Sequence, residues 1–201
     1  MTDHTFDQSY WEKHWSSGDA PARSEQMPAN PYLSTETAAL EVGSALDAGC
    51  GTGAEALWLA AQGWTVTGAD ISSAALETAA ARADAAGLAD HLEWVHADLT
   101  SWEPERSWDL VVTSYAHPAA GQLDFYRRIA SWVAPGGTLL IVAHDHGAHP
   151  EHATAAVAEI KELFAGASWR IDTGYESSRT VEAGGGVTDL RDVVVRVHRT
   201  S

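Results

Sequence analysis

The stretch 46-LDAGCGTGAEALWLAAQGWTVTGADIS-72 holds the residues best suited to ligand chemistry. Gly49, Gly51 and Gly53 stand at alternate positions, with Cys50 inside the run, Asp47 just before it and Asp70 near its end. A strand that ends in Gly49 must turn sharply to enter a helix. Glycine permits the positive φ values of such a turn, and its missing Cβ lets a ligand approach the main chain. The first N–H groups of the following helix then point at that ligand. An acid closing the next strand, as Asp70 would, can accept both hydroxyls of a ribose. Gly49-Cys50-Gly51-Thr52-Gly53-Ala54 also satisfies the dinucleotide pattern G-x-G-x-x-G/A. The loop alone therefore leaves its nucleotide open.

Three features bear on that choice. Asp47 stands where dinucleotide loops usually carry an apolar strand residue. A third strand is expected to end in Asp98, followed by Leu99; an acid there can accept from an adenine amino group, and the next N–H can reach the ring. Finally, no second domain is expected to bring a hydride acceptor to a nicotinamide. Cys50, inside the loop, is read as a packing or backbone contact and not as a nucleophile.

Other residues could take part in chemistry. His117 stands before Pro118, and an imidazole is the side chain best suited to general-base work at neutral pH. The stretch 144-HDHGAHPEH-152 gathers His144, His146, His149 and His152. Three of these could ligate zinc, nickel or copper, although H-x-H-x-x-H-x-x-H is no standard structural-site spacing. His144 alone could instead act as a base or touch a substrate. Tyr10, Trp11 and Trp15 fall one helical turn apart and can share a face, either stapling an N-terminal helix to the domain or covering a cation. The tryptophans at 58, 94, 108, 132 and 169 are expected in the core. No arginine falls within these motifs, which weakens a direct oxyanion acceptor.

The elements that must position these groups alternate. Strands are expected at 44–49, 65–70, 92–98, 109–116 and 138–145, and helices at 54–62, 73–86, 121–133 and 150–165. Ser72 or Ser73 would cap the second of these helices, and Gly87 would end it. Such alternation implies a parallel sheet with helices on both faces. Two further strands, within 168–178 and 189–198, flank a glycine-rich turn with no helix between them and read as an antiparallel edge hairpin with a loose turn. Residues 1–38 are aromatic and polar and read as a helical lid segment before a domain spanning 39–201.

The set LDAGCGTG, GADIS, HADLT, DLVVTSYAHP and LLIVAHD resembles the class I S-adenosylmethionine-dependent methyltransferases. The N-terminal YWEKHW and NPYL resemble the start of the thiopurine and tellurite-resistance branch. The fold implied is Rossmann-like α/β: a seven-stranded, mostly parallel sheet of order 3-2-1-4-5-7-6, with helices on both faces and a C-terminal antiparallel hairpin. The resemblance makes Gly49, Gly51 and Gly53 the backbone bed of the methionine part, with Asp47 supporting the loop and reaching the amino group, directly or through water. It gives the ribose to Asp70, the adenine face to Ile71 and the adenine edge to Asp98 and Leu99. Ser114 and Tyr115 would face the reacting centre, and Trp11 and Trp15 would supply the aromatic cover.

Composition narrows the partners. Twelve basic residues oppose 28 acidic ones, a formal net charge of −16, which repels nucleic acid and anionic membrane. One cysteine excludes an intrachain disulfide and fits a reducing compartment. With no signal-like start and no apolar run of spanning length, a cytoplasmic protein of bacterial type is expected. Oligomeric state is open. The expected activity is methyl transfer from S-adenosylmethionine to a small-molecule O, S, N or metalloid acceptor, with His117, Tyr115 and His144 at the reacting centre. A divalent transition metal on His144, His146 and His149 is a possible addition. Two alternatives remain: a metal- or metalloid-responsive binding protein that works through the histidine stretch, and a nicotinamide-dependent reductase.

Overall fold

The computed structural model describes residues 6–16, 28–119, 121–145, 155–183 and 186–200. The sheet is built on β1 (Ser44–Ala48), whose residues are buried from Ala45 onward. Such near-continuous burial marks a strand covered on both faces. It pairs in parallel with β2 (Thr65–Asp70) on one side and β4 (Trp108–Ser114) on the other. β3 (Leu92–His96) continues outward from β2, and β5 (Val133–His144) lies beside β4, all parallel. β7 (Gly186–Arg199) runs antiparallel between β5 and β6 (Trp169–Ala183). The order is thus 3-2-1-4-5-7-6, as the resemblance implied.

Helices α1 (Gln8–Ser16) and α2 (Tyr32–Thr37) precede the sheet, and α3 (Ala54–Ala61) follows β1. α4 (Ser73–Ala86) follows β2, α5 (Gln122–Ala130) follows β4, and α6 (Val157–Leu163) follows β5. Ser72 caps α4 by accepting from Ala75 N, and Gly87 ends it at φ 68°, satisfying the Ala83 and Asp84 carbonyls. Two apolar clusters fill the two faces of the sheet: one holds Trp108, Tyr126, Ile129 and Phe164, the other Tyr32, Leu33, Leu59 and Trp64.

Several boundaries differ from the sequence reading. β3 stops at His96, and Asp98 opens a turn in which its Oδ1 accepts from Thr100 N and Oγ1. β5 begins at Val133, because the Pro-Gly-Gly step is absorbed by a register shift against Trp108 and Leu110. The hairpin pairs from Trp169–Arg199 to Ala183–Gly186, far longer than two short edge strands. Of the helix expected at 150–165, the described residues form only Val157–Leu163, bounded by Ala156 and Phe164, and Pro150 and Glu151 lie outside the described residues.

Trp94 lies against the glycines of β2 and the first turn. An added Cβ at Gly68 would sit 2.4 Å from its Cζ3, and one at Gly53 2.7 Å from its Cη2. A flat ring thus replaces the missing side chains beneath the loop. Gly68→Ala overpacks this contact and should lower stability by about 1–3 kcal/mol. A urea denaturation midpoint unchanged from the native protein would contradict it.

Candidate active site

The carboxyl ends of the parallel strands open onto a cleft of about 950 Å³. Open α/β sheets hold ligands at this edge. Its floor is the turn from β1 into α3. There Gly49, Gly51 and Gly53 adopt φ values of 81°, 50° and 78°, in the left-handed region that glycine enters without penalty. Gly49 N and Cys50 N both donate to Ala69 O, at 2.8 and 3.1 Å. Gly51 N donates to Asp70 Oδ2 at 2.8 Å, and Asp70 Oδ1 accepts from Ser72 N at 2.9 Å. Burial pushes the Asp70 carboxyl up against the lowering effect of these N–H bonds.

Of the expected cofactor residues, Trp11, Trp15, Gly49, Cys50, Gly51, Asp70, Ile71, Asp98, Leu99 and Ser114 line the cleft. Asp47 and Gly53 do not. Asp47 is 1% exposed, and its Oδ2 accepts from Ala56 N at 3.0 Å. It holds the start of α3 from below, with its carboxyl pushed well up by burial and by the neighbouring Glu55. Gly53 serves the close packing on Trp94 and Ala79. Cys50 is a buried free thiol whose pKa burial raises, so it stays protonated near neutrality and is no ready nucleophile.

The N-terminal helix lies over this floor. Trp15 Cζ2 would stand 3.3 Å from a Cβ placed on Gly51. Between Trp11 and Trp15, Glu12 reaches the start of α4: its carboxylate accepts from Ser73 N at 3.1 Å and Ala74 N at 3.3 Å, and from the Ser72 and Ser73 hydroxyls. A carboxylate suits the positive end of a helix. Asn30 fixes the next segment, donating to Glu55 Oε1 from its main chain (3.0 Å) and to Ser114 Oγ from its side chain (3.0 Å).

The opposite wall is organised around Asp192, which is fully buried on β7. Its Oδ1 accepts from His144 Nδ1 at 2.8 Å, and its Oδ2 from Arg179 Nε at 2.6 Å and Tyr32 OH at 2.9 Å. Burial would raise the Asp192 carboxyl, but the hydrogen bonds of Arg179, Tyr32 and His144 outweigh it and hold it below its ordinary value. A carboxylate only accepts, so Nδ1 carries the proton and Nε2 is the basic nitrogen of His144. Burial lowers the His144 pKa despite Asp192, leaving the ring neutral near pH 7. Tyr115 stacks on His144 at 4.1 Å between centroids and has φ 56°, the one positive value outside glycine among the described residues. Burial raises its phenol far above the ordinary range, so it keeps its proton. His117 also lines the cleft, beside the rings of Phe6 and Trp11 at 5.8 and 6.4 Å.

His146, His149 and His152 lie outside the described residues. Among the described residues no group of three or more His, Cys, Asp or Glu side chains is placed to hold a metal ion. The structure does overturn the expectation that no arginine approaches the pocket: Arg179 lines it. In the hairpin Arg179 faces Leu190 and Asp192 faces Ser177, so the two are diagonal neighbours on one face. Arg179, Asp192, Glu12, Asn30 and Glu55 were not singled out in the sequence. The one available signal was a charged residue, Asp192, heading the apolar run Val193–Val195.

Comparison with known proteins agrees with this geometry. Residues 45–137 match a family model described as a methyltransferase domain. A probable thiol methyltransferase 2 of Arabidopsis thaliana is 31% identical over 134 residues, covering 65% of this chain and 59% of its own length. A trans-aconitate 2-methyltransferase of Paracidovorax citrulli is 31% identical over 163 residues, 77% of this chain and 57% of its own length. The chain thus spans less than two thirds of either relative. Among solved structures, the N-methyltransferase NodS of Bradyrhizobium japonicum, in complex with S-adenosyl-L-homocysteine, aligns with a TM-score of 0.71 at 18% identity over 98% of this chain and 100% of that one. TehB of Haemophilus influenzae aligns with a TM-score of 0.73 at 17% identity over 91% and 66%. The fold is that of these methyltransferases, and residues 45–137 resemble a methyltransferase domain. Among the described residues no helix is long and apolar enough to cross a membrane.

The Glu12 contact gives a pH signature. The Ser72 and Ser73 hydroxyls, with the Ser73 and Ala74 N–H groups, hold its carboxyl at about 2, below the ordinary 4.5. A lowered acid stabilises the docked helix fully above its ordinary value and loses that effect as pH falls through the lowered one. The protection of the amides in residues 8–16, taken relative to the unstructured chain at the same pH, should therefore fall from about pH 4.5 toward 2, and Glu12→Gln should lower it at neutral pH. Equal exchange in native and variant at neutral pH would contradict the cap.

Proposed function

We propose that this protein is an S-adenosylmethionine-dependent methyltransferase acting on a small protic acceptor. The observation that carries the reading is the glycine turn: bare main chain at Gly49 and Gly51, closed by the Asp70 carboxylate at the neighbouring strand end. The groups present suit that ligand. An added Cβ at Gly49 would come within 3.0 Å of Ala116, so side chains are excluded where the methionine part would rest. Asp70 is assigned the ribose hydroxyls, Ile71 the adenine face, and Asp98 with Leu99 the adenine edge. Asp47 acts on the cofactor only through the turn it braces. Residues 1–38 are assigned the role of an aromatic cover over a catalytic domain of residues 39–201, with Trp11 and Trp15 facing the sulfonium. A cation over such a ring gains about 0.5–2 kcal/mol. The relatives named for a thiol and for trans-aconitate support a small-molecule acceptor.

When bound, S-adenosylmethionine supplies an electrophilic methyl group on sulfur. The protein must then align the acceptor with that carbon and keep water out, and orientation of this kind is worth about 7–11 kcal/mol. We assign His144, and not His117, as the general base, because Asp192 fixes its tautomer and makes Nε2 the accepting nitrogen. Tyr115 shapes the wall beside it and, keeping its proton, takes no part as a base. This base role extends to a hydroxyl or thiol acceptor; an acceptor already ionised needs none.

Calorimetry tests the reading. S-adenosylhomocysteine should bind and NAD should not, and Asp70→Ala should weaken binding about tenfold or more, through loss of charged hydrogen bonds. NAD binding in place of S-adenosylhomocysteine would favour a reductase instead. For turnover, homocysteine release over a panel of thiols and phenols should fall about 10²–10⁴-fold in His144→Ala. In the native protein the rate should rise with pH through a value below 6.5, the ordinary pKa of histidine, and level off above it, since the neutral ring is the active form. A rate that ignores His144 would remove it from the mechanism and leave the cofactor assignment standing.

A further inference from the structure

The cleft is polarised. Its acids, Asp7, Glu55, Asp70 and Asp98, lie on the N-terminal helix side and near the ends of β1, β2 and β3. The wall at the ends of β4 and β5 holds Tyr115, His144 and Arg179, and Arg179 is the one arginine or lysine among the described residues that line the cleft. Its guanidinium is held in a fixed attitude. Nε donates to Asp192 at 2.6 Å, Nη2 donates to Tyr115 OH at 3.2 Å, and Cζ lies 5.9 Å from the Tyr115 ring centre. These two hydrogen bonds engage only part of a fork that carries five N–H groups, and the side chain keeps 28% of its surface accessible.

The placement suits recognition of a planar anion. A guanidinium pre-set by packing loses little freedom on binding and matches a carboxylate with two parallel N–H groups. The overall charge of −16 does not prevent this, because exposed charges more than about 8–10 Å away are screened at ordinary ionic strength. Asp192 brings guanidinium and imidazole together by binding one on each oxygen. An acceptor gripped by Arg179 would therefore present its nearby atoms to His144.

We propose that the methyl acceptor is a small acid, with a carboxylate or comparable planar oxyanion on Arg179 and its hydroxyl or thiol against His144. This rests on the methyl-transfer reading of the same cleft. The step balances: His144 Nε2 takes the proton from the acceptor oxygen or sulfur, whose lone pair bonds to the methyl carbon. The carbon–sulfur bond of the donor breaks with its electrons left on sulfur. The products are the methylated acid and S-adenosylhomocysteine, and the imidazolium releases its proton to water.

Two matched pairs test this: 3-mercaptopropionate against its methyl ester, and 4-hydroxybenzoate against its methyl ester. The acid of at least one pair should be methylated with a kcat/KM about tenfold or more above its ester, the span of a hydrogen-bonded charge. In Arg179→Gln that preference should shrink to about twofold or less, mainly through a higher KM for the acid, with S-adenosylhomocysteine affinity kept. Arg179→Lys, which retains charge but not the fork, should fall between and serves if the glutamine variant does not fold. The proposal is overturned if the ester is the equal or better substrate, or if the preference survives in Arg179→Gln. It is also overturned if native protein that binds S-adenosylhomocysteine turns over neither acid. Failure of the native protein to bind S-adenosylhomocysteine would remove the methyl-transfer reading itself.

Discussion

The contact on which the site depends is a single hydrogen bond from the main chain to a side-chain carboxylate. Gly51 N donates to Asp70 Oδ2 at 2.8 Å, while the N–H groups of Gly49 and Cys50 converge on Ala69 O. These bonds tie the turn after β1 to the end of β2 and force the chain through three left-handed residues. Once the turn is set, α3 must start where Asp47 can accept from Ala56 N. The space vacated by glycine side chains is filled from below by Trp94 and covered above by Trp15. A side chain at Gly51 would face both backbone strain and the indole. The bare-backbone turn thus follows from the same geometry that packs the first three strands.

A second constraint divides the cleft in two. At one end, carboxylates close the strand ends, and Glu12 fastens the covering helix to α4. At the other, Asp192 collects a tyrosine, an imidazole and a guanidinium from α2, β5 and β6. A buried carboxylate is costly unless its oxygens are satisfied, and here every donor belongs to a different element. Removing Asp192 would release the His144 imidazole, the Arg179 guanidinium and the Tyr32 hydroxyl together. The left-handed backbone at Tyr115 sits at this junction, and strain of this kind clusters at ligand sites.

The parallel half of the fold was legible because buried strands and alanine-rich helices alternate cleanly, and caps such as Ser72 and Gly87 mark their ends. The glycine turn and Asp70 were legible because backbone geometry restricts them to few residue types. Asp47 was recognisable as important, but its role was not: the pattern shows an acid near the loop and cannot tell whether it faces the cleft or the helix start beneath. Arg179 and Asp192 could not be brought to the pocket from sequence, since their meeting with His144 depends on the register of a long hairpin and on β7 inserting beside β5. Glu12 likewise meets Ser72 and Ser73 only through tertiary docking. Local signals thus described the glycine-turn end of the cleft, whereas the Asp192 end is assembled from long-range pairing.

The most direct measurement is a crystal structure of the protein grown with S-adenosyl-L-homocysteine. The account expects the ribose hydroxyls on Asp70, the methionine part over Gly49 and Gly51, and the sulfur between that turn and the wall of Tyr115 and His144. A cleft closed by side chains in saturating ligand, or the nucleoside bound away from the Asp70 carboxylate, would contradict it.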